Sequence, residues 1–198
     1  MGDDAELVGY FGFGSLVNHH TLRTDYVHLI PATLKGWRRH WQARSKTFKN
    51  AVALLSVHPD QKTSIQGLLV IDRLANLPAV DEREEGYTRI KLAKDDLELS
   101  NGSMNVSELY VYIADEVTDA VDDGPLLQSY LDAVMQGFLI NYGEEGVRHF
   151  VDTTNGFKRP VIADRDAPFY PRNVSLSDEE KLLFDQELAR AGVITIPT

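Results

Sequence analysis

Short runs rich in β-branched and aromatic residues fill positions 7 to 114, and long helical patterns appear only afterwards. That order limits the possible folds more than any other feature of the chain. Leu7 to Phe13 is apolar and aromatic and breaks at Gly12 and Gly14, as a strand does when its end runs into a glycine-rich turn. Val27 to Leu34, Ala51 to Val57, Ile65 to Ile71, Tyr87 to Leu92 and Val106 to Ala114 share this character. Each is bounded by Gly, Pro, Asn or Asp, so each is expected to be a strand. A short polar helical stretch is expected over Leu16 to Arg23.

Two helices follow. Gly124-Pro125 opens the first with Pro in its first turn, and Leu127, Tyr130, Leu131, Val134 and Phe138 recur at helical spacing before Gly143. The second begins at Ser177-Asp-Glu-Glu180, where the Glu can reach back to the Ser amide, and stops at Gly192. Asn155-Gly156 marks a tight turn and Asp164 to Arg172 a loop containing prolines, most simply a surface loop, or else a cover for a pocket or a site for a substrate carboxylate. Strands first and helices later imply an α+β fold. One domain over 1–198 is expected, with its core at about 7–114 and a helical part at about 124–198 packed on it.

Several kinds of chemistry are ruled out by what the chain contains. Its 198 residues include no cysteine, which removes thiolate catalysis, cysteine-ligated metals and disulfides, and suits a reducing cytoplasm. No apolar run approaches the ~20 residues of a membrane helix, and Met1 to Glu6 is acidic where a signal peptide would be basic. Gly12-Phe-Gly14 suggests a dinucleotide loop, but Val17 holds the third glycine position. There is no Gly-Lys-Ser/Thr phosphate loop and no Gly-x-Ser-x-Gly elbow. The six histidines, 19, 20, 28, 40, 58 and 149, lack metal-ligand spacing, so neither metal nor cofactor is expected.

Lys35 to Lys49 carries six basic residues (35, 38, 39, 44, 46, 49) interleaved with Trp37, Trp41 and Phe48, a pattern that can hold single-stranded nucleic acid. With 20 Lys and Arg against 30 Asp and Glu, a net charge of −10, the better reading is tryptophans in the core behind a solvated basic face. A milder version is a patch that attracts a small anion. Nucleic-acid and membrane partners are therefore not expected.

Arg73 to Glu85 reads as a short helix starting near Leu77 with Pro78 in its first turn. At ~100° per residue, Glu84 falls within about 20° of the mean direction of Leu74, Leu77 and Val80. A carboxylate on an inward stripe either reaches water at the helix end or sits in a pocket with a raised pKa. The wheel leaves both open.

Tyr10-Phe-Gly-Phe-Gly-Ser-Leu16 resembles the Tyr-Gly-Ser-Asn/Leu loop that ends the first strand of the gamma-glutamylcyclotransferase-like family. Val80-Asp-Glu-Arg-Glu-Glu-Gly-Tyr87-Thr-Arg89, about 70 residues on, is similar to that family's hydrophobic-Asp-x-x-Glu signature with its following Gly and Tyr. Leu34-Lys-Gly-Trp-Arg-Arg39 and Tyr110-Val-Tyr112 resemble further strands of the family. Leu127 to Gly137 with Asp164 to Arg172 resembles a bacterial branch of it.

The resemblance implies a small mixed β-barrel with flanking helices and a helical C-terminal extension. It also implies a cofactor-independent enzyme, of transferase or lyase type, that cyclises a small gamma-glutamyl amide or peptide to 5-oxoproline and a free amine. Counted from Asp81, the catalytic carboxylate is Glu84. The loop of Tyr10, Phe11, Gly12, Phe13, Gly14, Ser15 and Leu16 would grip the glutamyl group. Tyr112 and Tyr87 are candidates for contacts to substrate, with core packing the alternative for each. Phe13 stands where the family usually has Tyr, and Leu16 where one branch has Asn. A non-catalytic ligand-binding or interaction module of the same fold is the alternative, and monomer and homodimer both stay open.

Overall fold

The computed structural model describes residues 6–22, 25–42, 52–115 and 124–198. In chain order its elements are β1 (Leu7–Gly12), β2 (His28–Gln42), β3 (Leu54–Arg73), α1 (Leu77–Arg83), β4 (Tyr87–Lys91), β5 (Leu97–Leu99), β6 (Leu109–Ala114), β7 (Leu126–Leu127), α2 (Gln128–Asp152), β8 (Thr154–Asn155), β9 (Val161–Ile162), α3 (Asp178–Arg190) and β10 (Thr195–Ile196). The principal sheet runs β4-β6-β1-β3-β2-β5, with β8 on β2, and β10-β9-β7 form a small second sheet. In the principal sheet β1 lies parallel to β6 and antiparallel to β3.

The near-continuous apolar run of β1 is explained by burial on both faces. Because side chains alternate along a strand, Val8 and Tyr10 face one side, against Val70, Tyr112 and the Leu77 and Val80 stripe of α1. Phe11 faces the other side and joins the main core, which runs through Leu69 and Val111 to Phe138 and Phe150 of α2 and Phe184 of α3.

The structure departs from the sequence-based expectations at several points. Among the described residues no pairing closes the sheet into a barrel, and β4 and β5 are its edges. Thr88, Ile90 and Lys91 of β4 are exposed, and Lys91 pairs with Glu108, the kind of charged edge that blocks further strand addition. The two strands expected over Ala51 to Val57 and Ile65 to Ile71 are one strand, β3. Its polar middle pairs with β2 across a register shift between Lys35 and Trp37. There Gly36 takes φ +78° and Asp60 gathers Arg38 and Thr63 at 2.7 and 2.8 Å. The stretch expected to be helical after β1 is two single 3₁₀ turns, Ser15–Val17 and His19–Thr21. Gly143 breaks α2 as expected, with non-helical φ +69° and ψ −166°, a conformation open to glycine, but a second helical segment follows it directly, with Val147, Phe150 and Val151 buried. The capping box at Ser177 and Glu180 is present as expected.

The basic stretch is less solvated than its composition suggests. Trp41 is buried, with edge-to-face contacts to Tyr130 and Phe157. Arg39 is fully buried between Phe138 and Phe150 and donates to Thr153, Thr154 and the Gln66 carbonyl, and burial pushes its pKa down to about 9. Lys35 pairs with Glu98 and Arg38 with Asp60. Arg44, Lys46, Phe48 and Lys49 lie outside the described residues. Among the described residues, no helix is long and apolar enough to cross a membrane.

Candidate active site

One cavity of about 350 Å³ opens where four parts of the chain converge: the turn after β1, the end of α1, the start of β3, and the C-terminal loop before α3. Its walls carry Phe13 to Leu16 on one side and Val52 to Leu55 on another. Arg83, Glu84, Glu85, Tyr87 and Tyr112 come next, and Leu127, Tyr130 and residues 169–172 complete it. This size suits a small ligand.

Glu84 is the first residue past α1. Its φ and ψ of −92° and 34° leave the helix, while its amide still donates to the Val80 carbonyl at 2.9 Å. Leu74 drops out of the helical-wheel stripe, since it lies in a preceding 3₁₀ turn and is exposed. Glu84 follows Val80 by one helical turn and continues the inward direction of Leu77 and Val80, and the chain turns away only after it. Its side chain is only 13% exposed, and Arg83 Nε donates to its Oε1 at 3.0 Å. Burial raises its pKa, and the guanidinium groups of Arg83 and Arg172 act in the opposite direction.

The turn facing Glu84 depends on close backbone approach. A Cβ on Gly12 would lie 2.6 Å from Cβ of Leu16, and one on Gly14 would lie 2.8 Å from the Tyr130 hydroxyl. The turn is docked on α2 at Gly137, where a Cβ would meet the Asn18 backbone nitrogen at 2.7 Å. Asn18 also donates to the Ala133 carbonyl at 2.9 Å, and Asn141 to that of Val17 at 3.0 Å.

The residues expected in the site separate into two groups. Phe13, Gly14, Ser15, Leu16, Glu84, Tyr87 and Tyr112 line the cavity. Tyr10, Phe11 and Gly12 are buried but are not among its lining. Tyr10 Oη donates to Asp72 at 3.3 Å on the α1 side of the sheet, and Phe11 belongs to the main core. Tyr112 Oη is committed to Asp81 at 2.7 Å, and Tyr87 Oη to the Leu55 carbonyl at 2.8 Å. Asp81 also receives Arg89, so the aspartate of the signature clamps α1 to β4 and β6.

One contributor was not legible as a site residue. Tyr130 reads as part of a helical core stripe, yet its hydroxyl reaches the cavity and hydrogen-bonds to the backbone of Ser15. The loop 164–172 reads most simply as a surface loop, but its alternative, a cover for a pocket, fits the placement of Phe169 to Arg172 in the cavity wall. Buried Asp164 sets this loop. It accepts from the Ser129 amide and hydroxyl at 2.8 and 2.5 Å and from the Phe169 amide at 2.9 Å. The signal available in sequence was the acid at the start of a loop that returns to the opening of a helix. Among the described residues, no cluster of three or more His, Asp or Glu is arranged to hold a metal.

This architecture, a large mixed sheet with α1 on one face and α2 and α3 on the other, is the fold of the gamma-glutamyl cyclotransferases. A solved gamma-glutamyl cyclotransferase matches 91% of this chain and 99% of its own, at TM-score 0.57 and 15% identity. An uncharacterized protein from Homo sapiens matches over the same shares, 91% and 99%, at TM-score 0.56 and 16% identity. YkqA from Bacillus subtilis matches 76% of this chain and 56% of its own, at TM-score 0.52 and 17% identity. No family model and no curated protein matches the sequence.

Proposed function

We propose that the protein is a gamma-glutamyl cyclotransferase, converting a gamma-glutamyl amide to 5-oxoproline and the free amine with Glu84 as general acid and base. The observation that carries this is one largely buried carboxylate with a raised pKa, Glu84, in a small cavity that a glycine-shaped turn of backbone also lines. The fold, shared with a cyclotransferase of known structure, is consistent with the reading.

The chemistry asks for little else. A gamma-glutamyl amide brings its own nucleophile, and well-oriented intramolecular attack is worth effective molarities on the order of 10⁵ M or more. Glu84 takes a proton from the α-amino group as its nitrogen bonds to the γ-carbonyl carbon. The same carboxyl then gives that proton to the departing nitrogen as the old C–N bond breaks. No water is consumed and no covalent enzyme intermediate is needed. Backbone around Phe13 to Leu16 is the candidate cradle for the oxyanion and the glutamyl group.

The Arg83–Glu84 ion pair is the one observation that favours a ligand-binding module without catalysis, because it gives the carboxylate a structural partner. The deciding experiment offers the full chain gamma-glutamyl amino acids, glutathione and gamma-glutamylamines, and follows 5-oxoproline. Turnover that disappears in Glu84→Gln supports the enzyme. A folded protein silent on every compound supports the module, and an active Glu84→Gln variant removes Glu84 from the mechanism.

A further inference from the structure

The loop that walls the cavity carries two arginines with opposite commitments. Arg165 donates to both oxygens of Asp132, at 2.8 and 2.9 Å, and to both of Asp185, at 3.1 and 2.8 Å, so its fork is saturated and serves as an anchor. Arg172, at the other end, lines the cavity. Its Nε donates to the Tyr170 hydroxyl at 3.2 Å and its guanidinium stacks over that ring at 5.4 Å. Among the described residues it has no carboxylate in ion-pair contact, and Nη1 and Nη2 make no hydrogen bond. Arg83, the other cavity arginine, is taken by Glu84 and by the Thr21 carbonyl and hydroxyl. A planar fork held by a ring and its hydroxyl, with its two outer nitrogens open, is preorganised for a carboxylate.

We propose that Arg172 selects substrates by holding a carboxylate on the leaving half. The preferred compounds are then gamma-glutamyl peptides whose amine is an α-amino acid, and gamma-glutamyl derivatives of uncharged or cationic amines are disfavoured. This rests on the cyclotransferase reading of Glu84. In the cyclisation the α-amino nitrogen and the departing nitrogen must both reach Glu84 while the γ-carbonyl oxygen meets the turn after β1, so the glutamyl half occupies the end of the cavity between Glu84 and that turn. The leaving group extends from there toward the wall made by the C-terminal loop. That wall sets Arg172 and the Tyr170 hydroxyl it engages among Leu127, Phe169 and Pro171, whose apolar surfaces suit an aliphatic side chain.

The test compares gamma-glutamyl-leucine with gamma-glutamyl-leucinamide, whose leaving halves carry a carboxylate and an uncharged carboxamide of nearly the same size, with KM and direct binding read separately from kcat because the amide is also the better leaving group. With the wild-type chain, kcat/KM should favour the acid by about 10- to 100-fold, the range of a charge-assisted pair, chiefly through KM. In Arg172→Gln that ratio should fall toward one, and in Arg172→Lys it should remain partly, with melting curves confirming that both variants fold. A wild-type ratio near one overturns the proposal. So does a ratio that survives in Arg172→Gln, which is the result if Arg172 holds the glutamyl carboxylate instead. Calorimetric binding of both compounds to Glu84→Gln separates the two readings. Tighter binding of the acid, lost when Arg172→Gln is added, upholds the role of Arg172 even if wild-type turnover is nil, and equal binding of the two compounds overturns it.

Discussion

Arg83 and Glu84, neighbours in sequence, hold each other across the end of α1. Arg83 Nε donates to Glu84 Oε1 at 3.0 Å, while Arg83 Nη1 donates to the Thr21 carbonyl at 2.7 Å. One guanidinium therefore ties the carboxylate to the segment that follows the turn after β1, and the two side chains are 10% and 13% exposed. Burial raises the Glu84 pKa and Arg83 limits the rise.

Glu84→Gln preserves the size of the side chain and an acceptor for Arg83 but cannot carry a proton in either direction. Turnover should fall by about 10²- to 10⁴-fold, with a melting temperature close to wild type at neutral pH. Rates of 5-oxoproline formation and a thermal melt of the same sample check both.

A base that must be ionised sets a rate that climbs with pH. The acidic limb of kcat/KM should lie above the ordinary glutamate value of about 4.3. The linked stability has the opposite sign. With a folded pKa above the unfolded one, the native state binds the extra proton, so the Glu84 contribution is full below about 4.3 and is lost as pH rises through the folded value. Denaturant titrations across that window should show wild type losing stability relative to Glu84→Gln as pH increases.

Arg83→Met removes the cation beside the carboxylate but keeps the apolar stem. The acidic limb should move to still higher pH, and stability should drop by about 1–3 kcal/mol for the lost buried hydrogen bonds. A pH–rate profile tests the first expectation and a urea midpoint the second. An unmoved limb would show that Arg83 does not tune Glu84.

Asp164→Ala strips the loop 164–172 of three hydrogen bonds, to the Ser129 amide and hydroxyl and the Phe169 amide. The expected result is a loss of about 1–3 kcal/mol together with a raised KM, because Phe169 to Arg172 no longer hold the cavity wall. Faster amide exchange confined to 164–172 would locate the damage.

Gly137→Ala places a methyl 2.7 Å from the Asn18 nitrogen and 2.8 Å from the Val17 carbonyl carbon, both backbone atoms that cannot swing aside. Overpacking of this kind costs about 1–3 kcal/mol, and the turn after β1 should shift with it. A lowered unfolding midpoint accompanied by a loss of kcat/KM would link this helix crossing to the site.

Much of this was legible from residue order, because the signals are local. Pro78 at the start of α1, the Ser177–Glu180 capping box, the continuous apolar run of β1 and the glycines at 12 and 14 each act over a few residues, and each appears where expected. The Asp81–Glu84 spacing pointed to a carboxylate that lines the cavity. Packing decided the rest. Glu84 meets a cavity because the turn after β1 and the C-terminal loop close around the end of α1, and Tyr10 is turned away from the cavity onto the α1 face of the sheet. Tyr130 and Arg172 reach the cavity only because Gly137 lets α2 meet the turn and Asp164 folds its loop back onto Ser129. Contacts between residues so far apart in the chain leave no periodic trace in it, since their energy comes from surfaces that meet only once the sheet and helices have packed.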